Sequence, residues 1–104
     1  MDEEVKKQLE EMIHKNKIFL FMKGTPDTPE CGFSMKVVNI LKSFHIEFGY
    51  FNILENEEIR QGIKNYANWP TIPQLYINGK FIGGADITEQ LYNSGKLKQL
   101  LEAN

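Results

Sequence analysis

Five consecutive apolar residues, Ile18-Phe19-Leu20-Phe21-Met22, form the longest apolar run in the chain and are bounded by polar segments. A run this short does not cross a membrane, and its lack of alternation predicts a strand buried on both faces. Such a strand leaves no face for water. The rest of the chain therefore has to cover it from above and below.

Helical spacing recurs around it. Val5, Leu9, Met12 and Ile13, behind Asp2-Glu3-Glu4, predict a first helix, since acidic residues suit a helix N-terminus. Val37, Val38, Leu41 and Phe44 predict a second from about Gly32 to Phe44, and Ile59, Ile63 and Tyr66 a third. Lys23 to Glu30, with two prolines and a glycine, reads as a loop, and the aromatic stretch Glu47 to Asn52 as another strand. Two strands joined through a helix favour parallel pairing.

Gln74 to Ile77 and Lys80 to Ile82 flank Asn78-Gly79, a strong hairpin signal. Gly83-Gly84 ends the hairpin, and Asp86 with Glu89 resembles a capping box opening a helix through Leu91. Ser94-Gly95 interrupts that helix before Leu97, Leu100 and Leu101 close the chain as a last short one. The predicted architecture is a single α/β domain over 1–104, with a mixed sheet between helices on both faces.

Charge and cysteine content narrow the function. Twelve basic against fourteen acidic residues, net −2, provide no basic field for nucleic acid and no polybasic membrane patch. One cysteine excludes an intramolecular disulfide, argues against a disulfide-stapled secreted scaffold and fits a reducing intracellular compartment. Met1-Asp2-Glu3-Glu4 is too acidic for a signal or transit peptide. The expected location is the cytoplasm or, where a transit peptide has been removed, a mitochondrion or plastid-like organelle.

A lone cysteine is more often a small buried hydrophobe than a functional thiol. The context of Cys31 favours function. It follows a Pro-rich loop and starts a helix, where the N–H groups of Phe33 and Ser34 and the helix dipole lower a thiol pKa from ~8.5 toward roughly 3.5 to 7.5. Lys23, ending the first strand, adds a cation. Ser34 stands three residues on, where a redox pair would carry its second cysteine. Arg60 and Lys64, spaced i,i+4, share one side of the third helix and, taken alone, read as solvated surface charges. Pro73, taken alone, reads as a trans proline at a strand start. Gly83 to Asp86 combine a hairpin exit with a helix N-terminus that small residues leave open to an anion.

Five stretches occur in order: Lys23-Gly24-Thr25-Pro26 with Pro29; Cys31-Gly32-Phe33-Ser34; Ile59-Arg60 with Lys64 and Tyr66; Trp69-Pro70-Thr71-Ile72-Pro73; and Gly83-Gly84-Ala85-Asp86. With them the chain resembles the monothiol, CGFS-type glutaredoxins from the first strand to the final helix. Ala85 departs from the pattern, since many members carry serine or cysteine there; a backbone N–H contact survives the change.

The resemblance implies a thioredoxin-like fold with a four-stranded mixed sheet. It implies a glutathione site in which Lys23, Arg60 and Lys64 hold the glycyl carboxylate, with Lys23 and Arg60 the stronger candidates. The backbone of Ile72, before a cis Pro73, would pair with the glutathione cysteine, and Ala85 and Asp86 would take the γ-glutamyl end. Trp69 and Phe33 either border this site or belong to the core.

The resemblance further implies that Cys31 ligates a 2Fe–2S cluster between two protomers, each with one glutathione. A cluster takes four thiolates and one chain has one, which agrees with that arrangement. It would make the protein a monomer without cluster and a homodimer with it. The implied role is cluster transfer to recipient proteins, with a BolA-like protein as a further partner. The alternative is a glutathione-dependent oxidoreductase in which Cys31 attacks protein–glutathione disulfides and a second glutathione replaces the missing resolving thiol. A third class, an interaction module with an inert cysteine, requires Cys31 to be buried. His14 and His45 read as solvent-facing or capping residues, not ligands.

Overall fold

The computed structural model describes residues 2–103; Met1, part of the acidic opening, and Asn104 lie outside them. The elements run α1 (Glu3–Lys15), β1 (Ile18–Met22), α2 (Gly32–Ser43), β2 (Gly49–Asn52), a 3-10 turn (Ile53–Glu55), α3 (Glu57–Ala67), β3 (Gln74–Ile77), β4 (Lys80–Gly83), α4 (Ala85–Ser94) and α5 (Lys96–Glu102). The strands form one mixed sheet in the order β2-β1-β3-β4. β1 pairs parallel with β2 and antiparallel with β3, and β3 pairs antiparallel with β4. No described helix is long and apolar enough to cross a membrane.

β1 is buried along its whole length, and its pleat divides the core. Ile18, Leu20 and Met22 join Val37, Val38, Leu41, Leu97 and Leu101 on the face covered by α2, α4 and α5. Phe19 and Phe21 join Val5, Leu9, Ile13, Ile59 and Ile63 on the face covered by α1 and α3. The hairpin turn has left-handed Asn78 (φ 53°) and Gly79 (φ 77°), which match the twist of the flanking strands.

Three details differ from the sequence reading. Glu47 and Phe48 are not in β2, because its ladder with β1 starts at Phe19↔Gly49 and the earlier residues have almost no β1 left to pair with. The proposed capping box is absent: Gly84 is the N-cap, α4 begins at Ala85 and runs to Ser94, and the amide of Thr88 donates to the Gly84 carbonyl at 3.0 Å. Glu89 instead approaches Lys36 at 3.4 Å on α2. The short 3-10 turn after β2 carried no sequence signal of its own.

The loop between β1 and α2 closes on itself. Gly24 and Pro29 form a bridge, and the Glu30 amide donates to the Lys23 carbonyl at 3.0 Å, so Cys31 is returned to the end of β1. Asn52, ending β2, accepts the Gly24 amide at 2.9 Å and the Leu54 amide at 3.1 Å, which anchors the loop to the sheet. Gly24 has φ 87°, and a Cβ there would sit 2.5 Å from the Thr28 oxygen and 2.6 Å from the Glu30 nitrogen. Both atoms are backbone and cannot step aside. Gly24→Ala is expected to destabilise the protein by about 1–3 kcal/mol, read from urea denaturation midpoints at unchanged slope.

Candidate functional site

Cys31 is the N-cap of α2, with extended backbone (φ −155°, ψ 136°). That conformation aims the first-turn N–H groups at the thiol. Burial is the largest influence on its titration and raises the pKa. The backbone amides of Ser34 and Phe33, the Lys23 charge and the Ser34 hydroxyl oppose it in that order and prevail, holding the thiol below its ordinary range. The thiol is half-buried, so the inert-cysteine class loses the deep burial it requires. Ser34 is fully buried and accepts the Lys23 amide at 3.1 Å, tying the start of α2 to the end of β1.

Cys31 opens into a cleft of about 690 Å³. Lys23 comes to it from the end of β1, Arg60 and Lys64 from α3, Ile72 and Pro73 from the loop before β3, and Ala85 and Asp86 from the start of α4. All eight residues singled out in the sequence therefore line one cavity, although they are spread over 64 positions, 23 to 86. Trp69 and Phe33 line it too; Phe33 is 58% exposed, while Trp69 is half-buried against Phe81 with ring centroids 5.5 Å apart. The Ile72–Pro73 bond is cis, the isomer that the resemblance implied and the residue type alone did not.

Helix starts differ in how they are capped, and the short α5, away from the cleft, also begins at Gly95 without a side-chain cap. α1 and α3 are capped by side chains: Asp2 accepts the Glu4 amide at 2.7 Å and Asn56 accepts the Ile59 amide at 3.1 Å. α2 and α4, whose first turns line the cleft, begin at Cys31 and Gly84 without a side-chain cap. Their first N–H groups thus remain available to a thiolate or a bound anion. A Cβ at Gly84 would lie 3.3 Å from the Pro73 oxygen and 3.4 Å from Trp69 Nε1, so glycine permits the close fit of this helix start to the cis-proline loop.

Arg60 makes a 4.0 Å contact with Glu57, and no ion pair involves Lys23 or Lys64 among the described residues. Arg60 Nε and Trp69 Nε1 are buried donors without a partner among the described residues. His14 and His45 are exposed, and His14 Nδ1 lies 2.8 Å from the Glu10 carbonyl on its own helix. Ile87 also lines the cleft and was missed. Its apolar side chain, one turn into a helix, looks like any core-facing position until the fold shows where the helix starts.

A single activated thiol at a helix start, sharing a cleft with a cis-proline loop at the edge of a mixed sheet, defines a thioredoxin-fold thiol protein. The glutaredoxin family pattern matches residues 18–82. A ycf64-like monothiol glutaredoxin of Synechocystis is 50% identical over 102 residues, covering 98% of this chain and 95% of that one. A chloroplastic monothiol glutaredoxin of Arabidopsis thaliana is 52% identical over 99 residues, covering 95% of this chain and 57% of its own length. The solution structure of reduced apo GrxS14 from poplar superposes with a TM-score of 0.83 at 54% identity, covering 94% of this chain and 90% of that chain. The chain belongs to the glutaredoxin family, among its monothiol members.

Because the thiolate is the nucleophile, alkylation of Cys31 is expected to accelerate with pH through a midpoint below the free-cysteine value of ~8.5. Lys23→Ala removes a cation that favours the anion, so the midpoint should move up. Iodoacetamide kinetics across pH measure both; a parent midpoint at or above that of free cysteine contradicts the activation.

Proposed function

We propose that this chain binds glutathione in the Cys31 cleft and, paired with a second copy, carries a 2Fe–2S cluster to other proteins in a reducing compartment. One observation carries the reading: a thiol whose pKa is lowered shares its cleft with three cations, a cis-proline loop and an uncapped helix start. Glutathione has complementary chemistry, with two carboxylates, a peptide backbone and a thiol. Lys23, Arg60 and Lys64 answer one carboxylate. The N–H groups of Ala85 and Asp86 answer the other, and the Asp86 carboxylate suits the adjacent amine. The orphan donors on Arg60 and Trp69 also fit a site whose polar partners arrive with a ligand.

The donor count bears on the cluster. Each chain has one cysteine, and a cluster of this type takes four thiolates. Two chains and two glutathiones supply them. The cluster is cargo in this reading; Cys31 provides the ligand, and the cleft holds the glutathione thiol beside it. Oxidoreductase turnover is the second reading, favoured by the same lowering of the thiol pKa: Cys31 attacks the glutathione sulfur of a mixed disulfide, releasing the protein thiolate. A second glutathione thiolate then attacks the Cys31–glutathione disulfide, forming oxidised glutathione and restoring Cys31.

The test is size-exclusion chromatography after anaerobic reconstitution with iron, sulfide and glutathione, with iron and glutathione quantified in each peak. Cluster uptake should convert monomer to dimer, and Cys31→Ser should abolish both. Arg60→Ala should raise the glutathione concentration required by about tenfold, the loss of one charge-assisted hydrogen bond. A cluster-loaded monomer, or a cluster that survives complete removal of glutathione, contradicts the shared-ligand reading. A dimer that forms without iron favours the oxidoreductase reading.

A further inference from the structure

Beneath the cleft loop, β3 carries two polar side chains where that face of the sheet is otherwise apolar. Gln74 has 0% and Tyr76 1% of its surface exposed. Gln74 Nε2 donates to the carbonyl of Trp69 at 3.1 Å and to that of Thr71 at 3.4 Å. The Tyr76 hydroxyl donates to Gln74 Oε1 at 3.2 Å. The partners fix the orientation of the amide, because backbone carbonyls only accept and so require the NH₂, leaving the oxygen for the phenol. Burial, with a smaller contribution from Tyr66, raises the Tyr76 pKa and keeps its hydroxyl a donor.

This pair is packed into the sheet and its aromatic core. Gln74 is paired with Phe21 across the β1–β3 ladder, and the Tyr76 ring packs on Phe21 and Phe81 at 5.7 and 5.4 Å. A buried amide is costly unless bonded, and leucine of similar size would pack at the same place. The polar residue is accounted for by what it grips: the two carbonyls on either side of Pro70, in the segment leading to Ile72 and Pro73. That segment carries the Ile72–Pro73 cis bond and lines the cleft.

We propose that Gln74 is a positioning residue which, by holding the carbonyls of Trp69 and Thr71, sets the Ile72 backbone in the geometry that receives an extended peptide thiol. The proposal rests on the reading of the cleft as a glutathione site. Gln74 touches no ligand; it acts through the loop. Tyr76 acts one step further back, by orienting the amide.

The test is calorimetric titration of glutathione into the parent, Gln74→Leu, Tyr76→Phe and Gln74→Glu, with melting curves and the Cys31 alkylation midpoint measured alongside. Gln74→Leu should weaken glutathione binding about tenfold in protein that is fully folded at the titration temperature. Tyr76→Phe should weaken it less, because both carbonyl bonds remain. The alkylation midpoint should stay at the parent value in both, since Cys31 is activated by α2 and Lys23. Gln74→Glu should bind weakly at neutral pH and approach the parent as the carboxyl protonates at lower pH and regains a donor. A merely structural residue would lower melting temperatures and leave the affinity of the folded protein unchanged. If the parent does not bind glutathione, the site reading falls and this role with it. If the parent binds and Gln74→Leu binds equally well, only the Gln74 role is overturned. Should Gln74→Leu fail to fold, parent-like affinity in both Tyr76→Phe and Gln74→Glu at neutral pH overturns it.

Discussion

All five residues of β1 are withdrawn from water, three facing α2, α4 and α5 and two facing α1 and α3. Apolar burial of this kind contributes roughly 1.5–3 kcal/mol per large side chain, so the strand has little freedom to slide or turn over. Its end is fixed in consequence, and with it the Lys23 backbone. The Lys23 amide donates to Ser34, its carbonyl accepts from Glu30, and Cys31 is thereby placed at the sheet's edge beside a lysine. The chemistry of the thiol is an outcome of where this fully buried strand stops.

Helix capping shows how the rest of the molecule accommodates that site. A good N-cap contributes about 1 kcal/mol, and α1 and α3 have one. α2 and α4 forgo theirs where their first turns meet the cleft. The uncapped amides are less stabilising for the fold and more useful to an anion. Cys31 as an N-cap makes this concrete, since its thiolate receives the hydrogen bonds that a serine or aspartate cap would otherwise take. Tertiary packing, through the two cores and the sheet, compensates for the weaker helix starts.

Much of the fold was legible because periodicity reports burial directly. The helical stripes of Val5, Leu9 and Ile13 or Ile59 and Ile63, the unbroken β1 run and the Asn78-Gly79 turn each encode local structure in residue type and spacing. The errors lie at boundaries, where a neighbour decides. Glu47 and Phe48 have suitable strand chemistry, but the ladder with β1 starts only at Gly49, and Glu47 falls before β1 begins. Asp86 and Glu89 have the spacing of a capping box, but the chain is already helical at Ala85 and Glu89 finds Lys36 instead. The site was legible mainly through motifs: Cys31 and its flanking Pro-rich loop had a physical argument of their own, whereas Arg60, Lys64 and Pro73 taken alone looked like surface charges and an ordinary trans proline.

The sequence by itself determined the alternation of helices and strands, the single thiol, its place at a helix start and the absence of a second thiol to resolve it. These depend on residue identity and on neighbours within a few positions. Only the tertiary structure decided that Lys23, Arg60, Ile72 and Asp86 share one cleft with Cys31, because cores on both sides of a four-stranded sheet bring distant segments to one edge. It also decided that Gln74 is a buried donor under the cleft loop. In the sequence Gln74 is a polar residue at a strand start, and nothing local distinguishes a side chain turned to water from one turned to two backbone carbonyls; that depends on which face β1 and Phe21 oblige it to take.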